Sequence, residues 1–160
     1  FVNKVTKLNL MKLKQKTDYL KYWKVIRYFA KAKFNLGSSD LDMLLFLYSE
    51  GYFNRSKFVE YNEIFKWDSK RFYKLRKDGW IDSLPNPSFK TRESLYTLSH
   101  KANTTIDYIY KKLNDSPLPT DRTKNPIFRS NRQSTDFYYR KIIVKMNEAI
   151  KLQQHPFPEL

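Results

Sequence analysis

Five of the nine residues from Ser69 to Lys77 are Lys or Arg. Helical spacing turns Phe72 and Leu75 to one side and leaves Lys70, Arg71, Tyr73, Lys74 and Lys77 on the other. Ammonium and guanidinium groups ranged along a helix suit phosphate oxygens and base edges, and the major groove admits a helix. Lys90 and Arg92 form a second basic pair in a Pro-rich stretch, 84 to 92. The candidate DNA contacts are therefore Ser69, Lys70, Arg71, Tyr73, Lys74, Lys77, Lys90 and Arg92.

Other chemistry has little to work with. His100 and His155 lack the spaced carboxylate or second histidine that a metal site needs. Gly37, Gly51 and Gly79 are isolated, so no glycine-rich phosphate loop forms. Asp40 and Asp42 are two apart on a helix and face different ways, which suits a helix N-terminus better than acid/base work. The chain has no Cys, which removes thiol chemistry, disulfides and Cys-based zinc sites. No enzyme activity, cofactor or metal is expected.

The elements that must position the basic residues are legible from their punctuation. Asp68 is expected to cap a helix over 69–78 and Gly79 to end it, with Lys66-Trp67-Asp68 as the turn before it and Trp67 as a core plug. Trp80-Ile81 reads as a strand, 84–92 as a loop, and Ser94 to Leu98 as the returning strand of a hairpin. Ser99 is expected to cap a helix to about Leu113 bearing Ala102, Ile106 and Ile109. Upstream, Thr17 or Asp18 opens a helix to about Lys33. Ser39 caps a second, centred on Leu41, Leu44 and Leu47 and closed by Gly51, and a third spans about Ser56 to Phe65 with Phe58, Ile64 and Phe65 inward. Residues 114–134, with three Pro, read as an extended linker. A last helix spans about Thr135 to Leu152, with Phe137, Ile142, Val144, Met146 and Ile150 as its apolar set. The organisation expected is a basic arm at 1–16, a winged helix-turn-helix at 17–113, a linker at 114–134, and a C-terminal helix and tail at 135–160. The fold class is mainly α with a small β-hairpin.

Composition agrees with a polyanionic partner. The 160 residues carry 31 Lys and Arg against 16 Asp and Glu, a formal charge of +15 whose self-repulsion a nucleic acid would relieve. Hydrophobic residues make up 41 %, enough for a core, while the mean hydropathy of −0.72 describes a very polar surface. No apolar run approaches the roughly 20 residues of a membrane span, so no membrane partner is expected, and the compartment expected is the cytoplasm of a bacterium or phage-infected cell, or a virion.

The run Leu75-Arg76-Lys77-Asp78-Gly79-Trp80-Ile81 resembles the Leu-x-x-x-Gly-Leu-Ile passage of the MarR family of winged-helix regulators. Leu95-Tyr96-Thr97-Leu98-Ser99-His100-Lys101-Ala102 is similar to that family's strand leading into Leu-Thr-x-x-Gly. At the wing tip Lys90-Thr91-Arg92 stands where the family has Asp-x-Arg. The resemblance implies a homodimer built from N- and C-terminal helices, with two recognition helices on a near-palindromic duplex and the wing, 84–98, at the minor groove. Proteins of that family often bind small ligands between their helical and winged parts; the many aromatics here could line such a pocket or fill it, and an effector stays unknown. Two other readings stand beside that of a regulator: a sequence-nonspecific architectural or phage-associated protein, motivated by the basic N-terminal third and by Arg122, Lys124, Arg129 and Arg132, and a winged-helix module that binds protein.

Overall fold

Local signals decide where each element starts and stops. In the computed structural model, which describes residues 18–85, 94–130 and 132–155, the Asp18 carboxylate accepts the Lys21 N–H at 3.1 Å, but regular helix begins only at Trp23. The chain then runs α1 (Trp23–Phe34), α2 (Ser38–Glu50), β1 (Phe53–Asn54), α3 (Arg55–Phe65), α4 (Ser69–Lys77), β2 (Ile81–Leu84), β3 (Leu95–Leu98) and α5 (His100–Leu113). A 3-10 turn at Pro126–Phe128 and α6 (Asp136–Gln154) complete it. The expected basic arm at 1–16 and the wing residues Lys90 and Arg92 lie outside the described residues.

The expected caps at Asp68 and Ser99 form: the first accepts Lys70 N–H at 3.0 Å, the second Ala102 N–H at 3.1 Å. Ser39 is not a cap. The N-cap of α2 is Gly37, whose N–H is accepted by the Asp40 carboxylate at 2.9 Å. Asn54 caps α3, accepting Lys57 N–H at 2.8 Å. In place of a hairpin alone there is a three-stranded antiparallel sheet, ordered β1-β3-β2, because two residues at Phe53–Asn54 add to the free edge of β3. The β2–β3 register pairs Ile81 with Leu98 and Leu84 with Leu95, which fixes both ends of the wing loop.

The chain divides into two compact units. The unit of residues 30–110 is centred on α2, where Leu41, Met43, Leu44 and Leu47 are buried. An aromatic seam joins α3, α4 and the sheet: Phe58 to Phe72 at 4.3 Å between ring centres, Phe72 to Tyr96 at 5.2 Å, and Trp67 stacked on Phe65 at 4.8 Å. Trp67 is the core plug that the sequence suggested. On α3, Tyr61 is buried beside Phe58, whereas Ile64, expected inward, is exposed and Phe65 half-exposed.

The other unit joins residues up to Phe29 with those from Lys111 onward. Its core includes Val25, Ile26, Phe29, Leu118, Ile127, Ile143, Met146 and Ile150. On α6 the buried stripe includes Ile143 in place of Phe137, Ile142 and Val144, which are exposed. The stretch 114–130, expected as an extended linker, is a packed strap. Leu118, Asn125 and Ile127 are buried, and the Asn147 amide on α6 both accepts Leu118 N–H and donates to Leu118 C=O.

Candidate nucleic-acid interface

At 100° per residue, Ser69, Tyr73, Lys77, Lys70 and Lys74 fall on one continuous outward arc of α4, about 140° wide. All five are exposed. Phe72 and Leu75 are buried opposite, so the arc is fixed by the anchoring of the inner face. Nine residues give a helix of about 14 Å, a little over the width of the major groove.

The two ends of α4 are held separately. At its N-terminus Asp68 caps. At its C-terminus Gly79, with φ of +79°, adopts the conformation a residue bearing a Cβ resists. This lets Trp80 N–H reach Leu75 C=O at 2.8 Å and Gly79 N–H reach Arg76 C=O at 3.1 Å. Lys101 of α5 adds its ammonium to the Asp78 carbonyl at 3.1 Å and lies 4.0 Å over the Trp80 ring. A cation at a helix C-terminus satisfies both the orphan carbonyl and the dipole.

Two of the sequence-named residues have partners of their own. Arg71, at one edge of the arc, donates from Nη1 to Asp40 Oδ1 at 2.8 Å. Asp40 is only 3 % exposed, so this is a charged strut between α4 and the start of α2. Tyr73 accepts a hydrogen bond from Arg55 Nη1 at 2.8 Å, which adds Arg55, not singled out by sequence, to the rim of the arc. No local signal could reveal either pair, since the partners are 31 and 18 positions apart. Arg76, at the other edge, lies 4.9 Å over the Tyr96 ring and so extends towards the sheet. Between α3 and α4 a crevice of about 70 Å³ is lined by Arg55, Asn62, Ser69 and Tyr73 among others.

Elsewhere in the unit, carboxylates take phenols and a lysine as partners. Glu50 accepts the Tyr61 hydroxyl at 2.7 Å, and burial together with that carboxylate pushes the phenol up to about 12. Glu60 pairs with Lys57 at 2.8 Å, and Asp107 accepts the Tyr48 hydroxyl at 2.6 Å. An open groove of about 570 Å³ is lined by Phe34, Trp80, Lys101 and Tyr108 among others. His100 and His155 are exposed, and among the described residues no three His, Cys, Asp or Glu side chains form a metal-binding group. No helix among them is long and apolar enough to cross a membrane.

Three helices, a capped basic helix third among them, a β-hairpin and a following Ser-capped helix define a winged helix-turn-helix. No protein-family model and no curated protein matches the sequence. Among solved structures the chain is similar to a crystal structure of a mutant MarR from E. coli complexed with operator DNA. The two share 12 % sequence identity at a TM-score of 0.44, over 76 % of this chain and 81 % of that one.

Proposed function

We propose that this chain binds double-stranded DNA, as a dimeric MarR-like transcriptional regulator rather than an enzyme, with α4 in the major groove and the wing loop at the minor groove. The observation that carries this reading is the outward arc of α4, on which three Lys, a Ser and a Tyr stand clear of the core on a helix capped at both ends. In it Lys70, Lys74 and Lys77 meet phosphates or base edges, and Ser69 and Tyr73 add hydrogen bonds. Lys90 and Arg92 extend the contact from a loop whose ends are fixed by the Leu84–Leu95 pair. Arg71 serves chiefly as the strut to Asp40, keeping the helix at its angle. Homodimerisation is supported by an outer face of α6 that leaves Tyr138 66 %, Ile142 42 % and Leu152 71 % exposed.

Selection from a random duplex library at near-physiological salt tests the proposal. Enrichment of one near-palindromic site supports a regulator. Uniform binding with a steep salt dependence supports an architectural protein of the same fold. A protein without duplex affinity even at low salt overturns both.

A further inference from the structure

The positive charge of the chain is not concentrated where the winged helix is. The described part of residues 30–110 holds 11 Lys and Arg against 9 Asp and Glu, whereas the described part of the other unit holds 13 against 5. Three of those five carboxylates accept hydrogen bonds from the chain itself. Asp18 accepts Lys21 N–H, and Asp121 accepts Thr123 N–H. Asp136, wholly buried, takes Arg132 Nε at 3.0 Å and the Tyr28 hydroxyl at 2.7 Å.

Within that unit, residues 121–129 form a knuckle that exposes Arg122, Lys124 and Arg129. Its backbone is unusually well tied for a polar loop. The Asn125 side chain, itself fully buried, donates to Pro119 C=O at 2.8 Å and accepts Ile127 N–H at 3.0 Å. Asp121 C=O accepts Asn125 N–H at 2.8 Å. Arg140 reaches from α6 to the carbonyls of Ile127 and Arg129, and Arg129 Nε closes the knuckle on Arg122 C=O at 3.0 Å. The Thr123 N–H and hydroxyl, with a smaller contribution from Lys124, hold the Asp121 carboxyl below its ordinary range, so that carboxylate is used mainly in the turn.

The fold thus carries three exposed cations on a loop with a fixed backbone, with a single carboxylate, Asp121, among them. A flexible basic loop would let them spread apart, and a loop needed only as a connection requires no such charge. Because the backbone is already fixed, only side-chain freedom is lost when these cations meet an anionic polymer, which favours binding. We infer that the 121–129 knuckle is a second, sequence-independent contact for the phosphate backbone of duplex DNA, separate in its residues from α4. The partner is the DNA already proposed, so the inference rests on that reading for its ligand, though not for its surface.

The test is duplex affinity by fluorescence anisotropy from 50 to 300 mM salt, with the full chain, on two unrelated sequences and on an RNA hairpin. The variants are Arg122→Glu/Lys124→Glu, the charge-preserving Arg122→Lys, and Lys70→Ala/Lys74→Ala. Each neutralised phosphate contributes about 0.9 to the slope of log affinity against log salt. The double knuckle variant should lose about 2 from that slope and 10- to 100-fold in affinity on both duplexes alike. Arg122→Lys should bind as the parent does, and circular dichroism should show the fold intact. Parent-like affinity of a folded knuckle variant, beside a weakened Lys70→Ala/Lys74→Ala, overturns this inference and leaves α4 as the interface. The converse supports the knuckle and overturns the α4 reading. Loss confined to the RNA hairpin overturns the inference as to partner, and a parent chain without duplex affinity overturns both.

Discussion

Among the described residues each unit buries one carboxylate and uses it to hold one arginine, yet the two arrangements serve different ends. In the 30–110 unit Asp40 is bound by Arg71 and by the Gly37 N–H, so the pair ties α4 to the start of α2. In the other unit Asp136 is bound by Arg132 and by Tyr28, whose ring lies flat on Tyr139 at 3.7 Å, so that cluster joins α1 to the start of α6. The first braces a helix that presents cations outward. The second closes a core around which cations are spread over a strap and a long helix. A basic residue near an interface is thus not automatically a contact: what it pairs with decides whether it grips a ligand or braces the residue that does.

Breaking the two clusters should separate these roles. Asp136→Ala takes from the Arg132 guanidinium its buried acceptor and leaves the Tyr28 hydroxyl only Gln133 and Thr135, and should cost about 3 kcal/mol of stability, read by chemical denaturation. Hydrogen exchange should then quicken first in α1 and α6. Arg71→Ala strands the Asp40 carboxylate and should cost about 3 kcal/mol. Its duplex affinity should fall by a similar factor on every sequence, because the angle of α4 changes rather than a base contact. Relaxed preference at one base position, with stability unchanged, would instead make Arg71 a reader. Ser99→Ala removes the cap of α5 and should cost about 1 kcal/mol without affecting affinity.

A smaller effect concerns pH. Tyr61 is held as the neutral phenol by burial and by Glu50, its value raised from 10.0 to about 12. A raised value means its contribution is complete below pH 10 and is lost as pH rises from about 10 towards 12. Tyr61→Phe should flatten the stability profile across that window, and an unchanged profile would refute the assignment.

What could be read from the sequence was what is local. Asp68, Gly79 and Ser99 act on groups within about four residues of themselves, so their types and spacing suffice. The inner face of α4 followed from Phe72 and Leu75 for the same reason. Most of the departures come from partners outside the element. Ser39 has the right residue type for a cap, but the Asp40 carboxylate three residues on from Gly37 takes the Gly37 N–H, and Arg71 of another helix holds that carboxylate. Ile64, expected inward, is exposed while Tyr61 is buried with its hydroxyl given to Glu50, a pairing that hydropathy does not foresee. The Pro-rich strap resembled a linker because its anchors, Asn125 and Asn147, are polar residues whose value lies in bonds to backbone. On α6, Phe137, Ile142 and Val144 are as apolar as Ile143, and period alone does not say which stripe is covered.

The proposed grip of the outward arc of α4 on duplex DNA can be broken at two lysines. Its most direct test is the affinity of Lys70→Ala/Lys74→Ala for duplex at near-physiological salt, with thermal unfolding measured beside it. Both side chains are exposed, so unfolding should stay within about 0.5 kcal/mol of the parent. The account predicts a 10- to 100-fold loss of affinity and a salt slope shallower by about 2. Parent-like affinity and slope in a folded variant would contradict it.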